Sequence, residues 1–465
     1  QENCSDCLDN DGDGLIDCYD PDCIDSTAVC NGLFIKNRDS LPICLNTPKP
    51  SNNLRMSLLY KIDTVPSASA ANIYVADISK NGIPEIAMYD GGQNKMNVYN
   101  GLDGTLSNSI SISPPGIVLP SDFAMADIDN DGFVEFIFAG LLFPKFNFLI
   151  SCFEHDGTLK YVSDSIPFSS LSIRPPLGVA NFDNLDTANV YLGGYIINGL
   201  TGKTITKIPT TKGQSIAVDI LPDGDCPDCA GLELVFSNEV YSIDILSKTM
   251  TLRKTKTDSI KAGNVAVADY DNDGKLDIIA NEDSSFRQIV WNPRTETIIE
   301  KIHTITGVTG GGFGVVNVGN FDNDPKLEMG IVTVEYYIAI DHDMNELWRK
   351  SILEGSSGYT GSTLFDFNGD GTTEIAYRDE QFLRIINASN GSTIDSFPCK
   401  SGTAAEYPTV VDVNQDGHAD ILCGCEGSSG IDKIVVVTSA CNTWVASREI
   451  WNQQYYFNVN INDDM

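Results

Sequence analysis

The acidic residues between positions 269 and 277 have the spacing of a loop that wraps a hard cation. Oxygen donors stand at positions one, three, five and nine of the segment DYDNDGKLD, and glycine stands at position six. Alternate side chains of a tightly curled loop converge, and glycine permits the sharp turn that the loop requires. Calcium takes six to eight oxygen ligands, so this spacing predicts a calcium loop that resembles an EF-hand loop set between strands.

Five loops meet this pattern in full or with modest substitution, and a sixth carries Pro325 where glycine is expected. The loop that begins at Asp77 carries fewer charges, so we expect it to bind more weakly. The predicted ligands of the six loops are Asp77, Ser79, Asn81 and Glu85; Asp127, Asp129, Asp131 and Glu135; Asp269, Asp271, Asp273 and Asp277; Asn320, Asp322, Asp324 and Glu328; Asp366, Asn368, Asp370 and Glu374; and Asp412, Asn414, Asp416 and Asp420.

Two further copies of the loop are altered. Leu185 occupies position five of the copy that begins at Asn181, which predicts that this loop has lost its metal. In the next copy, a Cys-Pro-Asp-Cys insertion stretches the spacing. Its acidic residues could still converge, but their spacing does not establish it. They are Asp219, Asp223, Asp225 and Glu233.

The N-terminal segment contains a separate loop of the same kind. Its acidic residues stand at positions one, three, five, nine and twelve, and cysteines flank it on both sides. This pattern predicts a calcium loop held by disulfides and lacking the EF-hand helices. The predicted ligands are Asp9, Asp11, Asp13, Asp17 and Asp20.

Two alternatives compete with the calcium interpretation. A single loop of this composition is also compatible with ordinary Asx and Gly turns between strands. The repetition of the pattern, each time between two strands, favours a metal. Magnesium is disfavoured, because the loops offer too many protein oxygens for its small hydrated shell.

The loops are positioned by a repeat that occupies most of the chain. Eight copies begin at intervals of 38 to 54 residues. Each copy reads as strand, acidic loop, strand, linker, strand, Asn/Gly turn and strand, with short segments rich in Val and Ile. A unit of four antiparallel strands is one propeller blade. The sequence therefore predicts an all-β, eight-bladed β-propeller, or a seven-bladed one if the copy near Asp219 merges with a neighbour.

Composition divides the chain into four regions. Residues 1–30 are dense in Cys and Asp and predict a small disulfide-rich appendage. Residues 31–69 hold a linker and a strand-like stretch from Arg55 that could complete the last blade. The predicted propeller spans residues 70–455, and residues 456–465 are expected to begin a C-terminal extension.

Charge and cysteine content indicate an extracellular protein. The 64 acidic and 30 basic residues give a net charge of −34, which argues against nucleic-acid binding. No apolar run approaches the roughly 20 residues that span a bilayer. Twelve of the 13 cysteines fall in three groups, which suits disulfides; one group lies within residues 1–44, one is the pair Cys226 and Cys229, and one contains Cys399, Cys423, Cys425 and Cys441. The chain begins with Gln1, so we expect a secreted, mature chain. Cys152 stands alone and is expected to be a buried free thiol. Zinc is disfavoured at the CxxC pairs, which have no histidine nearby.

No catalytic motif is present in the sequence. It lacks a GxSxG elbow, an HExxH pair and a P-loop, and its four histidines share no common context. We therefore expect a calcium-stabilised binding module for a surface glycan or protein, and no enzyme. A calcium-dependent polysaccharide lyase and a structural spacer of a larger adhesin are the alternatives.

The repeated loops resemble FG-GAP/VCBS repeats, as in integrin α-subunit propellers and many bacterial surface proteins. The N-terminal CSDCLDNDGDGLIDCYDPDC and the C-terminal REIWNQQYYFNVNINDDM resemble segments of large surface proteins and gliding-motility-type adhesins of Bacteroidota. That resemblance implies type IX secretion, further domains of the same polypeptide, and contact with the secretion machinery. It also implies O-glycosylation at Asp-Ser/Thr-apolar triplets such as the one at Asp39.

Overall fold

The computed structural model describes most of the chain from Leu54 to Gln454. The described ranges are 54–63, 72–112, 117–142, 147–167, 177–183, 187–208, 214–222, 224, 229, 231–256, 263–282, 286–303, 314–322, 324–355, 358, 360–402, 406–426, 433–440 and 443–454. The predicted N-terminal calcium loop and the predicted extension at 456–465 lie outside these residues. The domain boundaries therefore stay predictions.

The described residues form eight antiparallel sheets, each with four or five strands, and contain no helix. The short strands follow the Val- and Ile-rich runs of the repeats, because β-branched side chains suit the pleated surface. The sheets are blades 1–8 of a propeller, so the eight-bladed prediction is confirmed. The copy near Asp219 forms a sheet of its own, which rules out the seven-bladed alternative.

The strand bounds of the first four blades follow the repeat. Blade 1 contains β2 (Tyr74–Ala76), β3 (Glu85–Asp90), β4 (Lys95–Asn100) and β5 (Leu106–Ser111). Blade 2 contains β6 (Ile117–Ala126), β7 (Glu135–Leu142), β8 (Asn147–Phe153), β9 (Leu159–Val162) and β10 (Ile166–Pro167). Blade 3 contains β11 (Leu177–Ala180), β12 (Asn189–Leu192), β13 (Tyr195–Asn198) and β14 (Thr204–Lys207). Blade 4 contains β15 (Ile216–Val218), β16 (Glu233–Val235), β17 (Glu239–Asp244) and β18 (Thr249–Thr255).

The remaining blades have the same order of strands. Blade 5 contains β19 (Gly263–Ala268), β20 (Asp277–Glu282), β21 (Arg287–Trp291) and β22 (Ile298–Ile302). Blade 6 contains β23 (Val316–Gly319), β24 (Glu328–Val332), β25 (Tyr336–Ile340) and β26 (Glu346–Ser351). Blade 7 contains β27 (Ser362–Phe365), β28 (Glu374–Arg378), β29 (Phe382–Asn387) and β30 (Thr393–Pro398). Blade 8 contains β31 (Thr409–Val411), β32 (Asp420–Cys425), β33 (Lys433–Ser439) and β1 (Met56–Asp63).

The two ends of the chain close the ring in blade 8. Strand β1 lies antiparallel to β33, with Met56 opposite Ser439 and Asp63 opposite Lys433. The stretch from Arg55 thus supplies the fourth strand that the last repeat lacks. This arrangement covers the edge of β33, which would otherwise present unpaired backbone groups.

The core is divided among the blade interfaces. Eight clusters of buried side chains each combine residues of two neighbouring blades, one cluster for every junction around the ring. The first strands of successive blades also contact one another, as β19 does with β23 and β23 with β27. These strands therefore surround the central axis, and each blade is stabilised mainly by its neighbours.

Residues 443–454 bond to residues that lie in, or just after, the first strands of five blades. This C-terminal segment exchanges two backbone hydrogen bonds of 2.8 Å between Trp451 and Val75 of blade 1. Asn452 bonds to Met125 of blade 2 through both its backbone and its buried side chain. Further bonds reach Phe367 of blade 7, Asp412 of blade 8 and Val179 of blade 3. The segment links blades that are distant in sequence.

The cysteines of the propeller follow the expectations in part. Cys399 and Cys425 form a disulfide that joins blades 7 and 8, and Cys229 is also disulfide-bonded. Cys152 is a buried free thiol, as predicted. Cys423, which the clustering placed among the disulfide-forming cysteines, is instead free and buried, while Cys425 two positions on forms the bond to Cys399. No helix in the described part of the chain has the length and apolar character needed to cross a membrane.

Candidate metal centres

Each of the six predicted loops ends on a carboxylate that is buried beneath it. The acid at position nine begins the second strand of its blade and is at most 4% exposed. One of its oxygens accepts the backbone N–H of position two, at 2.8–3.2 Å. The six acids are Glu85, Glu135, Asp277, Glu328, Glu374 and Asp420. This contact ties the start of each loop to the start of the second strand.

The carboxylate at position one closes the first half of the loop. In five loops its two oxygens accept the N–H groups of positions five and six, at 2.7–3.2 Å. The glycine at position six has a φ between 79° and 91° in these five loops, as the sequence pattern requires. The sixth loop differs at both points, because Pro325 replaces the glycine and Asn320 donates its side-chain N–H to Gly371 O at 3.0 Å.

Position five completes the hydrogen bonding of the loops. Its side-chain oxygen accepts the N–H of position seven at 2.8–2.9 Å in all six. The loops are therefore Asx-type turns as well as candidate cation sites. A carboxylate oxygen that accepts one N–H keeps a second lone pair, so these turns hold the oxygens in place without consuming their capacity to bind a cation.

Burial raises the pKa of every acid at position nine. The pKa reaches about 8 for Glu135 and Glu374, about 7 for Glu328 and Asp420, and about 6 for Asp277, and the pKa of Glu85 is raised as well. Desolvation is the largest cause, and nearby loop carboxylates add to it in most of the loops. A cation beside these oxygens would favour their ionised form and remove this cost.

Three loops bring acidic ligand atoms within 4.8 Å of one another in the described part of the chain. The groups are Asp127, Asp129 and Glu135; Asp129, Asp131 and Glu154; Asp269, Asp271 and Asp273; and Asp324, Glu328 and His342. In blades 7 and 8, position three is a neutral amide. Asn368 and Asn414 donate their side-chain N–H to the position-five carboxylate, at 3.1 and 3.0 Å. In blade 1, the Ser79 hydroxyl donates to Glu85.

The group in blade 2 already contains a positive charge. Lys160 Nζ lies 2.5 Å from Asp129 Oδ2, 3.2 Å from Glu135 Oε1 and 3.0 Å from Glu154 Oε1. The lysine side chain is only 11% exposed, and these acids raise its pKa. The blade 2 loop matches the calcium pattern closely, yet the ammonium group of Lys160 neutralises part of its negative charge. The spacing of the loop residues did not reveal this lysine.

Sequence reasoning also missed a polar residue that lies opposite the acid at position nine. This residue stands at or just beyond the end of the third strand, where the hairpin turn begins. In blades 1, 5 and 7 it is Asn100, Asn292 and Asn387. In blades 2 and 6 it is acidic, as Glu154 and Asp341. In the sequence, this residue could have been found as the polar residue at which the third strand ends and the Asn/Gly turn begins.

The two altered loops are described only in part. Residues 184–186, including Leu185, lie outside the described residues, as do Asp223 and Asp225. In blade 4, Glu233 is fully buried and accepts the N–H groups of Ile220 and Leu221, both at 3.1 Å. Glu233 therefore takes the place of the acid at position nine despite the insertion that precedes it.

Neighbouring acidic loops are bonded to one another, so they line one face of the ring. In three junctions the residue before the second strand donates its N–H to a loop carbonyl of the preceding blade, at 2.8–3.2 Å. These pairs are Ala188 with Ile128, Leu327 with Tyr270, and Thr373 with Asn320. Gln415 Nε2 donates to Gly82 O at 2.6 Å between the last and first blades. These hydrogen bonds connect each of these loops directly to the next.

The donor chemistry of most loops suits a hard cation. Their side chains offer carboxylate, amide and hydroxyl oxygens, and within the described residues Asp129 Oδ1 is buried without a hydrogen-bond partner. Buried carboxylates with spare oxygens need positive charge nearby. Among the described residues, the loops of blades 1, 7 and 8 offer oxygen donors alone and have no cationic side chain at their acids. Blade 2 adds the ammonium of Lys160, blade 5 the ammonium of Lys275 at Asp273, and blade 6 an imidazole.

Two segments of the chain match the family model of the FG-GAP-like repeat, residues 77–138 and 366–423. Each segment begins at position one of an acidic loop and continues into the second strand of the following blade. The matches fall on blades 1 and 2 and on blades 7 and 8. None of the curated proteins compared with the chain matches it.

The chain aligns with solved structures at low sequence identity. The Vibrio cholerae biofilm matrix protein Bap1 aligns with a TM-score of 0.66 and 15% identity, over 88% of this chain and 96% of that one. The quinohemoprotein alcohol dehydrogenase ADHIIG from Pseudomonas putida HK5 aligns with a TM-score of 0.47 and 9% identity, over 86% and 79%. The similarity to Bap1 concerns the fold alone. Together with the family matches, it identifies an eight-bladed propeller that carries FG-GAP-like repeats.

Proposed function

We propose that this chain is an extracellular calcium-binding propeller that acts as an adhesion or recognition module for a glycan or protein. The observation that carries the proposal is the repeated loop. In several blades, the buried acid at position nine lies near the position-one carboxylate that the backbone N–H groups hold in place. Sites repeated in this way suit a structural role better than a catalytic one, because each site fixes a loop between two strands. A rigid ring then presents its connecting loops as a preorganised surface.

Calcium would be held by the oxygens of positions one, three, five and nine. The loops of blades 1, 7 and 8 supply these donors without a lysine or histidine at their acids among the described residues. In blade 5, the part-exposed Lys275 Nζ lies 2.7 Å from Asp273 Oδ2 and would have to move aside. Bound calcium would supply the positive charge that the buried acids lack. The chain's own contribution is to hold the carboxylates in place through the backbone N–H groups described above, so that little reorganisation accompanies binding.

Several observations support a role outside the cell. The net charge of −34 and the disulfide between Cys399 and Cys425 suit an oxidising, calcium-rich environment. The FG-GAP-like repeats and the fold shared with a biofilm matrix protein point the same way. Export through a type IX route and attachment to further domains extend this proposal and rest on the resemblance of the terminal segments.

A binding screen against a lyase assay separates the recognition role from its alternatives. Calcium-loaded protein should bind one class of surface glycan or protein saturably, and should leave acidic polysaccharides uncleaved. New unsaturated chain ends after incubation with calcium would instead support a lyase. Silence in both assays, with the protein folded and calcium-loaded, would favour the spacer.

A further inference from the structure

We propose that blade 6 carries a site for a zinc-class transition metal, formed by Asp324, Glu328 and His342 with Asp341 beside them. The site differs in kind from the calcium loops of the other blades. It does not depend on the recognition role proposed above, and its test is read separately from calcium binding.

The donor atoms already lie close to the separations of a coordination shell. His342 Nδ1 is 3.5 Å from Asp324 Oδ2 and 3.9 Å from Glu328 Oε1. It is 2.7 Å from Asp341 Oδ1. Ligand atoms around a tetrahedral zinc with bonds of about 2 Å are about 3.3 Å apart. Small rotations of these side chains would therefore bring three or four donors to one ion.

The buried acid of this group has an oxygen that nothing else satisfies. Glu328 is 0% exposed, and its Oε2 accepts the N–H of Phe321 at 2.8 Å. Its Oε1 has no hydrogen-bond partner among the described residues. His342 Nδ1 and Asp341 Oδ1 lie 2.7 Å apart, but they are not oriented to form a hydrogen bond with each other or with another described group. Three buried polar atoms that converge without hydrogen bonds are costly unless a further group joins them. A metal ion satisfies all three at once.

The identity of the donors selects the class of metal. Calcium takes oxygen ligands, whereas imidazole nitrogen suits zinc and its neighbours in the first transition row. This loop has also lost two features of the calcium pattern. Position one is the neutral amide of Asn320, whose Nδ2 donates to Gly371 O, and Pro325 replaces the glycine of the turn. The loop has thus lost a carboxylate at position one and gained a nitrogen ligand.

Blade 2 provides a natural comparison. His155 holds the same place there, directly after the acid at the end of the third strand. Its ring stacks on Phe133, with 4.3 Å between the ring centroids. Lys160 occupies the acids of that blade. The equivalent histidine is therefore engaged elsewhere, and only blade 6 directs an imidazole towards its loop acids among the described residues.

Zinc binding to tag-free protein in a large excess of calcium tests the site. The wild-type chain should bind one equivalent of Zn²⁺ when titrated against a chromogenic chelator. His342→Gln should weaken this binding about a hundredfold or more, while the matched variant His155→Gln should leave it unchanged. Cobalt should occupy the same site and give visible absorption bands that His342→Gln removes.

Two results would overturn the proposal. One is wild-type protein that takes up no zinc while calcium is saturating, which would leave His342 as a neighbour of its acids and no metal ligand. The other is equal zinc binding by His342→Gln and the wild type. Circular dichroism and the calcium stoichiometry of each variant establish that it is folded, so a lost zinc site cannot be mistaken for a lost fold.

Discussion

At the scale of single residues, the buried acids at position nine govern the chemistry of the loops. Each one is held by a backbone N–H on one side and faces other carboxylates on the other side, as Glu374 does with Asp366 and Asp370. Burial opposes the ionised form, and an adjacent cation restores it. The protonation of these acids and the binding of calcium should therefore be linked.

Calcium-free protein should lose stability as the pH rises from 6.5 to 8. The folded chain keeps protons on Glu374, with a pKa of about 8, and on Asp420, with a pKa of about 7, that the unfolded chain releases near the ordinary values of 4.5 and 3.8. Deprotonation in this window therefore favours unfolding. His303, whose pKa burial lowers to about 4, adds little slope here. With a chelator present, the melting temperature should fall across this range, and saturating calcium should remove most of the fall. A calcium-free melting temperature that rises with pH would contradict this account.

Lys160→Met should destabilise the calcium-free protein more than the calcium-loaded protein. Removing the ammonium leaves Asp129, Glu135 and Glu154 without a counter-charge, a loss on the order of 3 kcal/mol in the free energy of unfolding. Calcium can then replace it, so the loss should shrink when the ion is added. Lys203→Met is the matched control, because its pair with Asp164 is exposed and should contribute less than about 1 kcal/mol. Equal losses with and without calcium would show that no ion exchanges with the lysine.

Local spacing predicted the turn geometry of the loops well and their contacts with the opposite hairpin poorly. The positions of Asp269 and Gly274 follow from a pattern of nine residues, and the structure places them as that pattern requires. Lys160 and His342 reach the loops from the opposite hairpin of the blade. Their contacts depend on strand register and on side-chain rotamers, which a motif within one loop does not encode.

At the scale of strands and segments, the ring depends on pieces that come from both ends of the chain. Strand β1 covers β33, and residues 443–454 cross the inner strands of five blades. The sequence predicted β1 because a strand-like stretch from Arg55 precedes the first of the eight copies and was available to complete the last blade. It did not predict the C-terminal segment, since Trp451 and Asn452 bond to partners more than 300 positions away.

Two N-terminal truncations should separate the appendage from the ring. Removal of residues 1–53 should leave the melting temperature of the propeller nearly unchanged, because β1 is intact. Removal of residues 1–63 should lower it strongly and promote aggregation, because the edge of β33 is then exposed. Differential scanning calorimetry and light scattering measure both effects. Similar stability of the two truncated chains would mean that β1 contributes little to ring closure.

At the scale of the whole molecule, cooperativity follows from the way in which the core is divided. Every blade shares its buried side chains with both neighbours, and adjacent acidic loops are joined by hydrogen bonds such as that from Thr373 to Asn320. Among the residues that the structure describes, no blade has a core that is independent of its neighbours. We therefore expect the propeller to unfold as a unit, with the ring of acidic loops as the point at which ions act on the whole.

The number of blades was predictable because each copy of the repeat carries its own strand and loop signals. Blade 4 tested the limit of that reasoning, since an insertion separates Asp219 from its acid, and yet Glu233 holds the usual place. The burial of the second strand fixes this acid, whatever the length of the loop before it. The activity was less predictable, because a propeller supports many functions and its ligand site is set by the loops rather than by the fold.

The central claim is that calcium in the acidic loops stabilises the whole ring, and thermal unfolding with and without a chelator tests it most directly. At a free calcium concentration a hundredfold above the dissociation constant, each site adds about 2.7 kcal/mol to the free energy of unfolding. Several sites should therefore raise the melting temperature of a single cooperative transition by many degrees, and a chelator should reverse the rise. A melting temperature that is the same in calcium and in chelator would contradict the account.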